Sequence, residues 1–563
     1  MKTRVKKFGL ALLVAGISLG SLGYVDNYFE ISKNLDIFVT LFKNLNIYYV
    51  DETEPGKLIK ESIDGMLESL DPYTTYIPES EMEDHRFSIT GKYGGIGSLI
   101  RKRGEKIIIA EPYEDYPAHK AGLIAGDILL EVNGTAISGK NTSQVSKVLK
   151  GQAGTSVKIL VEREGKEKPF EVELVRDEIK INPVPYFGML DDNFGYIRLS
   201  TFTSKASEEI KKGVQELKKE DNLKGLVLDL RSNPGGLLRE AVNIVNLFVG
   251  KGDEIVSTRG KLKDWDKVHR ALNTPLDEEI PLIILVNRSS ASASEIVAGA
   301  LQDLDRAVVI GQKTFGKGLV QQTLKLTYNA QLKVTTAKYF IPSGRCIQAL
   351  DYTNRNEDGS VGKVPDSLIT EFSTRNGRPV YDGGGIEPDI SVSPQKGSRI
   401  GAKLMNKMLI FDYASKYKRE HKKIDSPKDF QFTDEDYEDF KLFLVGKDYD
   451  YTTRSEAKLK ELKKIATDEE YFQDAQLEFE AFKTKLTHNN EDDLNKFKEG
   501  ISDLITREIM VRYYFQKGRI EAMIQYNDNI KKALEVLGDS ATYNAILAGN
   551  HVTKVEEEKK EDK

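Results

Sequence analysis

The sequence predicts a multidomain α/β protein, and three changes of pattern along its 563 residues predict it. From about Asn182 to Gln395 apolar strand runs alternate with helical stretches, the signature of a mixed core. A small β-rich stretch from about Arg86 to Asp177 precedes that core, and the chain after Gly401 carries helical spacing with many Lys, Glu and Asp. A chain of this length exceeds one ordinary core, so roughly two to four folded units are expected.

Taken in order, residues 1–25 read as a signal peptide or N-terminal anchor. Lys2, Arg4, Lys6 and Lys7 precede an apolar run from Phe8 to Leu22, and Ser21-Leu22-Gly23 offers small residues for cleavage. The run is shorter than the roughly 20 residues that span a bilayer comfortably, so a cleaved signal is favoured over an uncleaved anchor. The expected location is therefore outside the cytoplasm, in the periplasm or cell envelope, with membrane anchoring if the segment is retained. Residues 26–87 read as an N-terminal helical segment, with apolar positions such as Ile37, Leu41, Ile47, Leu58, Ile63 and Met66 until Asp71-Pro72 stops the pattern. Residues 88–177 form the β-rich module: a Gly94-Gly95-Ile96-Gly97 loop, a strand at Lys106–Ala110, a turn–strand–hairpin over Gly126–Gly134, a short helix at Val145–Leu149 and a strand at Ser156–Arg163. Residues 178–398 are the α/β core, 399–551 a helical domain with solvated faces, and 552–563 a charged disordered tail.

Composition narrows the function classes. The chain is 39% hydrophobic and 30% charged, with 82 basic against 88 acidic residues and a net charge of −6. No long basic tract follows the first few residues, so nucleic acid is excluded as a partner. The single cysteine, Cys346, permits no internal disulfide and has no histidine near it in sequence for thiol catalysis. None of the six histidines lies in a triad-like or H-E-x-x-H pattern, so a Ser-His-Asp triad and a zinc site of that type are not expected; nor is any cofactor expected.

The candidate chemistry lies at three strand ends. Gly225–Leu230 is a buried-strand run followed by Asn233-Pro234-Gly235-Gly236; Leu282–Val286 is followed by Ser289–Ser294 and a helix; Ala307–Ile310 is followed by the Gly311–Gly318 loop. Strand–helix–strand order makes the three strands parallel, so all three loops meet at one carboxyl edge, where ligands bind. Ser292 there opens a helix, and the N–H of Ala293 points to the same place as its hydroxyl. Gly235 or Gly236 can bring a second backbone donor close, as a tetrahedral oxyanion requires. Lys317, between two glycines, serves as general base only where desolvation leaves it neutral, and Gln321 is placed to orient its amine. Alone, Ser292-Ala293-Ser294-Glu295 is a capping box with Ser292 as N-cap and Glu295 at N3; the shared edge is what turns Ser292 into a candidate nucleophile.

With these motifs the chain resembles the carboxy-terminal processing peptidases, also called tail-specific proteases. Ser290–Asp303 is similar to their nucleophile motif and Thr314–Gln321 to their lysine motif, and the 25-residue separation of Ser292 and Lys317 selects Ser292 over Ser290 and Ser294. Asp64–Leu67 with Leu70–Tyr73, Phe340–Gln348 and Gly385–Ile390 extend the likeness over about residues 30 to 395. The resemblance implies a crotonase/Clp-protease-like core with an inserted PDZ domain, a serine endopeptidase with a Ser292/Lys317 dyad and Gln321 as third member, and an oxyanion hole of Ala293 with Gly235 or Gly236. It implies protein or peptide substrates with accessible C-termini, held by the Gly94–Gly97 loop of the PDZ module, and is compatible with a homo-oligomer. The insertion from about Asp351 to Tyr381 and the helices after residue 400 fall outside the common pattern. A trypsin-like peptidase is excluded because Ser232–Gly236 carries Pro234 where a nucleophile would stand. A crotonase-like enzyme needs neither this serine nor this lysine. A catalytically silent PDZ scaffold binding protein C-termini is the remaining alternative.

Overall fold

The computed structural model describes residues 28–550 except 192, 221, 395, 396, 525 and 526. The apolar leader at 1–25 and the charged tail at 552–563 lie outside the described residues. The chain divides into two compact units: the described part of Met1–Pro78 with Thr323–Val334, and Glu79–Gln322 with the described part of Thr335–Lys563.

In the smaller unit the helical pattern expected up to Asp71-Pro72 is two helices, one over 28–48 and one over Pro55–Glu68. Pro55 explains the break. It lacks an N–H, presets its own φ for a first helical turn, and pushes Glu54 to extended values of φ −99° and ψ 95°. Asp71 then ties the turn that ends the second helix, accepting from Tyr73 N–H and Thr74 N–H at 2.8 Å each. Thr75–Ile77 pairs antiparallel with Gln331–Lys333.

The larger unit is organised around a six-stranded sheet whose spatial order follows the chain. Its elements are β1 (Tyr186–Met189), β2 (Phe194–Arg198), helix α1 (Ala206–Leu217), β3 (Gly225–Asp229), α2 (Leu238–Val245), β4 (Leu282–Val286), α3 (Ala293–Asp303), β5 (Val308–Gly311) and β6 (Ile390–Ser391). β1 is antiparallel to β2, and β2 through β6 are parallel, as the alternating pattern predicts. Each crossover moves one strand further in the same direction, so right-handed connections place α1, α2 and α3 on one face. Leu226, Leu228, Leu282, Ile284 and Val309 pack with those helices.

The other face then needs a cover from elsewhere in the chain. Val227, Ile283, Leu285, Val308 and Ile310 point to it by the two-residue alternation of a strand. Helices α4 (Asp528–Gly538) and α5 (Ser540–Leu547) supply the cover through Ile530, Ala533, Val536, Leu537, Tyr543 and Ile546. Within the expected helical region 399–551, these last two helices complete the sheet core. The helices before them have a core of their own, with Leu404, Ile410, Tyr413, Phe440, Ile501 and Ile509 buried together.

The β-rich module is a sheet running Ser98–Arg103, Lys106–Pro112, Ile128–Val132, Ser156–Glu162, Phe170–Val175, with a helix at Thr142–Leu149. Asn133 and Gly134 both have positive φ, 50° and 74°, as a two-residue hairpin turn requires. Gly94 and Gly95 are not loop residues as expected. They lie in a short strand, Lys92–Gly95, paired with Asp177–Lys180. Glycine is needed at 94 because a Cβ there would stand 2.1 Å from the Gly151 carbonyl oxygen. Only Ile96 and Gly97 form the turn into Ser98–Arg103. The module rests on the helical domain through an Arg103–Asp412 ion pair at 2.6 Å and a small apolar contact of Ile108 with Met408 and Phe411. The insertion after Asp351 folds as two hairpins, Leu350–Arg355 with Val361–Lys363 and Glu371–Ser373 with Pro379–Tyr381.

Candidate active site

Three loops leave the carboxyl edge of β3, β4 and β5 and are tied together by main-chain and side-chain bonds. Asn233, fully buried after β3, is one knot. Its amide donates to the Leu199 carbonyl at 2.9 Å and its Oδ1 accepts from Gly235 N–H at 2.9 Å, while its own carbonyl accepts from Ala291 N–H at 3.0 Å. Gly235 has φ +100°, and a Cβ on it would lie 2.9 Å from Ser292 Cβ. The glycine turn therefore touches the sequence-predicted nucleophile directly.

Ser292 is the N-cap of α3, at φ 56° and ψ −115°. Such a conformation costs a non-glycine residue about 1–3 kcal/mol and persists only where the surroundings impose it. Its serine neighbours are engaged elsewhere. The Ser290 hydroxyl donates to the Leu230 carbonyl at 2.8 Å and the Ser294 hydroxyl to the Asn233 carbonyl at 2.9 Å, and both residues are fully buried. Ser292 alone of the three is partly exposed.

The surroundings that impose this geometry converge on Glu295. Ser292 N–H at 2.7 Å and Lys317 N–H at 2.9 Å both donate to its Oε2. Gly316 N–H at 2.7 Å and the Thr314 hydroxyl at 2.5 Å donate to its Oε1. One carboxylate thus fixes the main chain of Ser292 and Lys317 on a single oxygen. The capping box predicted Glu295 at N3, and its reach to the lysine loop is new. Burial pushes the Glu295 carboxyl above its ordinary range, and the hydrogen bonds from Thr314, Lys317, Gly316 and Ser292 oppose it. Tyr339 is a second shared support. Its hydroxyl reaches the Lys317 carbonyl at 2.7 Å and the Ser292 carbonyl at 3.2 Å. Burial holds that phenol well above its ordinary pKa, so it remains a donor. Phe315 N–H adds a bond to the Ser290 carbonyl at 3.1 Å.

Two backbone donors flank Ser292 with no hydrogen-bond partner among the described residues, Ala293 N–H and Gly236 N–H. Gly235 N–H is engaged by Asn233. Gly236 is held by a parallel bridge to Phe202, in which Leu237 N–H donates to the Phe202 carbonyl and Phe202 N–H to the Gly235 carbonyl, leaving its own N–H outside the ladder. Gln321 lies on the strand Leu319–Lys325, where its Nε2 donates to Thr335 Oγ1 at 3.2 Å. Burial pushes the Cys346 thiol pKa up, as expected of an unreactive thiol. Asn233 and Tyr339 were not singled out from sequence, and Asn233 carried a signal only as part of the Asn-Pro-Gly-Gly turn.

Comparison with known proteins gives the family. Residues 193–355 match the profile of peptidase family S41, 108–163 that of a PDZ domain, and 400–537 that described as "Probable PDZ-protease, C-terminal helical domain". A carboxy-terminal-processing protease of Bartonella bacilliformis is 41% identical over 324 residues, which span 57% of this chain and 74% of that protein. The chain belongs to peptidase family S41, among the carboxy-terminal-processing proteases. A "Probable CtpA-like serine protease" of Staphylococcus aureus is 38% identical over 318 residues, 56% of this chain but only 63% of that protein. Among solved structures, a photosystem II D1 C-terminal processing protease is 28% identical, with a TM-score of 0.36 over 64% of this chain and 92% of its own. Membership of family S41 makes the chain a serine-type peptidase with a PDZ domain and sets aside the silent scaffold.

Proposed function

We propose that the protein is an exported endopeptidase that captures the carboxyl end of a substrate and cuts with Ser292 as nucleophile and Lys317 as general base. The observation that carries this reading is the Glu295 carboxylate, which holds the N–H groups of both residues on one oxygen. In the proposed reaction the neutral Lys317 amine takes the Ser292 proton as Oγ attacks the scissile carbonyl. Ala293 N–H and Gly236 N–H receive the oxyanion, and the Lys317 ammonium returns the proton to the leaving amine. Water, deprotonated by the same lysine, then releases the acyl group. Gln321 is the proposed orienter of the lysine amine.

Recognition of the tail is assigned to the PDZ module. Among the described residues Ser98–Arg103 is an edge strand paired with Lys106–Pro112 alone, so its other side is proposed to accept an extended peptide by strand addition. The Ile96-Gly97 turn at its start is the proposed holder of the terminal carboxylate. The charged start and apolar run of residues 2–22 support export to the periplasm or cell envelope, tested by fractionating cells. A homo-oligomer belongs to the same reading, tested by light scattering on the purified chain. The functional test compares an unfolded substrate ending in a free carboxylate with its carboxamide. The carboxylate form is cut faster through a lower KM; equal KM values for the two would remove the tail-recognition step.

A further inference from the structure

A cavity of about 440 Å³ opens at the carboxyl edge of the sheet, against the helical stretch Lys498–Ile524, which is broken at Phe515 (φ 54°, ψ −158°). Its size falls in the range of small-molecule sites, about 300–1,000 Å³. Four arginines line it, Arg198, Arg231, Arg507 and Arg519, and no lining residue among those described is a carboxylate. Ile520, Met523 and Ile524 give it one apolar side.

The positive charge here is only partly balanced. Arg198 and Arg231 share the buried Asp229, at 3.1 Å and 2.6 Å, so one carboxylate serves two guanidinium groups. Arg519 comes no closer than 3.8 Å to Glu111, whose carboxyl burial pushes up. Arg507 donates through Nε to the Met523 sulfur at 2.8 Å, a weak acceptor, and has no carboxylate within 4.0 Å among the described residues. Burial works against its charge, Asp503 favours it, and Arg519 opposes it again. Like charges gathered in a partly dry wall with too few counter-ions are costly, and an anion placed between them lowers that cost.

The chemistry of the wall selects the anion. Guanidinium forks match the paired oxygens of a phosphoryl group. A phosphate monoester carries about −1.5 to −2 at neutral pH, and its several terminal oxygens can be shared by separate guanidinium groups, which the two oxygens of a peptide carboxylate do less well. The volume and the apolar side leave room for more than a bare ion. Arg231 is committed to Asp229 through Nε and Nη2 and to Asn527 through Nη1, and Arg198 to Asp229 and the Arg231 carbonyl. We infer that this cavity binds a small organic phosphate, with its phosphoryl group on Arg507 and Arg519 and its apolar body on Ile520, Met523 and Ile524. The site shares no residue with Ser292, Lys317 or the glycine turn, yet it borders them. Ser232 and Asn287 also line it; Ser232 N–H donates to Asn287 Oδ1 at 2.9 Å and Asn287 N–H donates to Ser290 Oγ at 2.9 Å. An occupant therefore rests against the two turns that carry Gly235 and Ser292.

The test is titration calorimetry on the full chain with phenyl phosphate, inorganic phosphate and phenol as probes. Phenyl phosphate binds saturably and more weakly as salt rises, inorganic phosphate binds several-fold more weakly, and phenol does not bind. Arg507→Gln with Arg519→Gln weakens phenyl phosphate by about tenfold or more, and Arg507→Lys, which keeps the charge, weakens it less. The first comparison needs no variant, so a misfolded double variant leaves the inference open to refutation. Absence of saturable phenyl phosphate binding at millimolar concentration, or equal binding of phenol, overturns it. Binding to phosphatidylglycerol vesicles without phenyl phosphate binding overturns it too, since the phosphate would then be read on a membrane surface.

Discussion

Gly235→Ala is the perturbation whose size the structure fixes best. A Cβ at this position would stand 2.7 Å from the Ala291 carbonyl oxygen, 2.9 Å from Ala293 N and 2.9 Å from Ser292 Cβ. None of the three is the flexible end of a side chain, so the turn or the start of α3 must move. The φ of +100° adds strain for an L-residue, about 1–3 kcal/mol. A displacement approaching 1 Å costs about 100-fold in rate, and loss of an oxyanion donor costs about 100- to 1,000-fold. We expect kcat to fall by about 100- to 1,000-fold, with KM within about threefold because the PDZ module is untouched. Gly500→Ala is the control: nothing lies within 4 Å of its Cβ, and alanine in a helix stabilises by about 0.5–1 kcal/mol. Steady-state kinetics on a fluorogenic tail peptide and circular-dichroism melting measure both. A Gly235→Ala enzyme with parental kcat would refute direct contact between the glycine turn and the nucleophile.

Glu295→Gln turns an amide N–H₂ toward two donors that now meet an oxygen, and is expected to lower kcat by about 100-fold or more with KM unchanged; a proportional rise in KM would contradict a positioning role. Asp229, fully buried between Arg198 and Arg231, has its carboxyl held far below the usual range: burial pushes it up, but the two arginines and the Tyr196 hydroxyl outweigh that. A depressed carboxyl stabilises the fold above its unfolded pKa of 3.8 and loses that contribution as pH falls through the native value. Asp229→Asn therefore costs about 3–5 kcal/mol at pH 7, and its deficit against the parent narrows below pH 3.8 in urea titrations. Removal of residues 528–563 uncovers the sheet face beneath α4 and α5; Ile530, Val536, Leu537, Tyr543 and Ile546 each stabilise by about 1.5–3 kcal/mol, so the truncated chain is expected to be insoluble, as a sedimentation assay shows.

The sheet and its edge were legible because Gly225–Leu230, Leu282–Val286 and Ala307–Ile310 are compact apolar runs, each closed by a turn signal. Parallel pairing then follows from connectivity alone, and with it the meeting of the three loops. The adjacency of Ser292 to the Gly235-Gly236 turn follows in that way. Tyr339 and the long reach of Glu295 do not, because both act across loops whose return path is set by packing; a tyrosine in a strand carries no spacing signal. That helices α4 and α5 cover the sheet was not legible for a similar reason. Their periodicity continues that of the helices before them, whereas their destination is dictated by the bare face that same-direction crossovers leave on the sheet. Gly94 and Gly95 misled in the opposite sense: glycine suggested a loop, but the requirement was close approach of the Gly151 carbonyl to a strand.

The central claim is that Ser292 forms the acyl intermediate with Lys317 as its base. Mass spectrometry of the enzyme quenched during turnover of an activated ester tests it most directly. The account predicts one acyl group on the peptide containing Ser292, located to Ser292 by fragmentation, absent in Ser292→Ala and strongly reduced in Lys317→Ala. An adduct on Ser290 or Ser294, or undiminished acylation in Lys317→Ala, would contradict it.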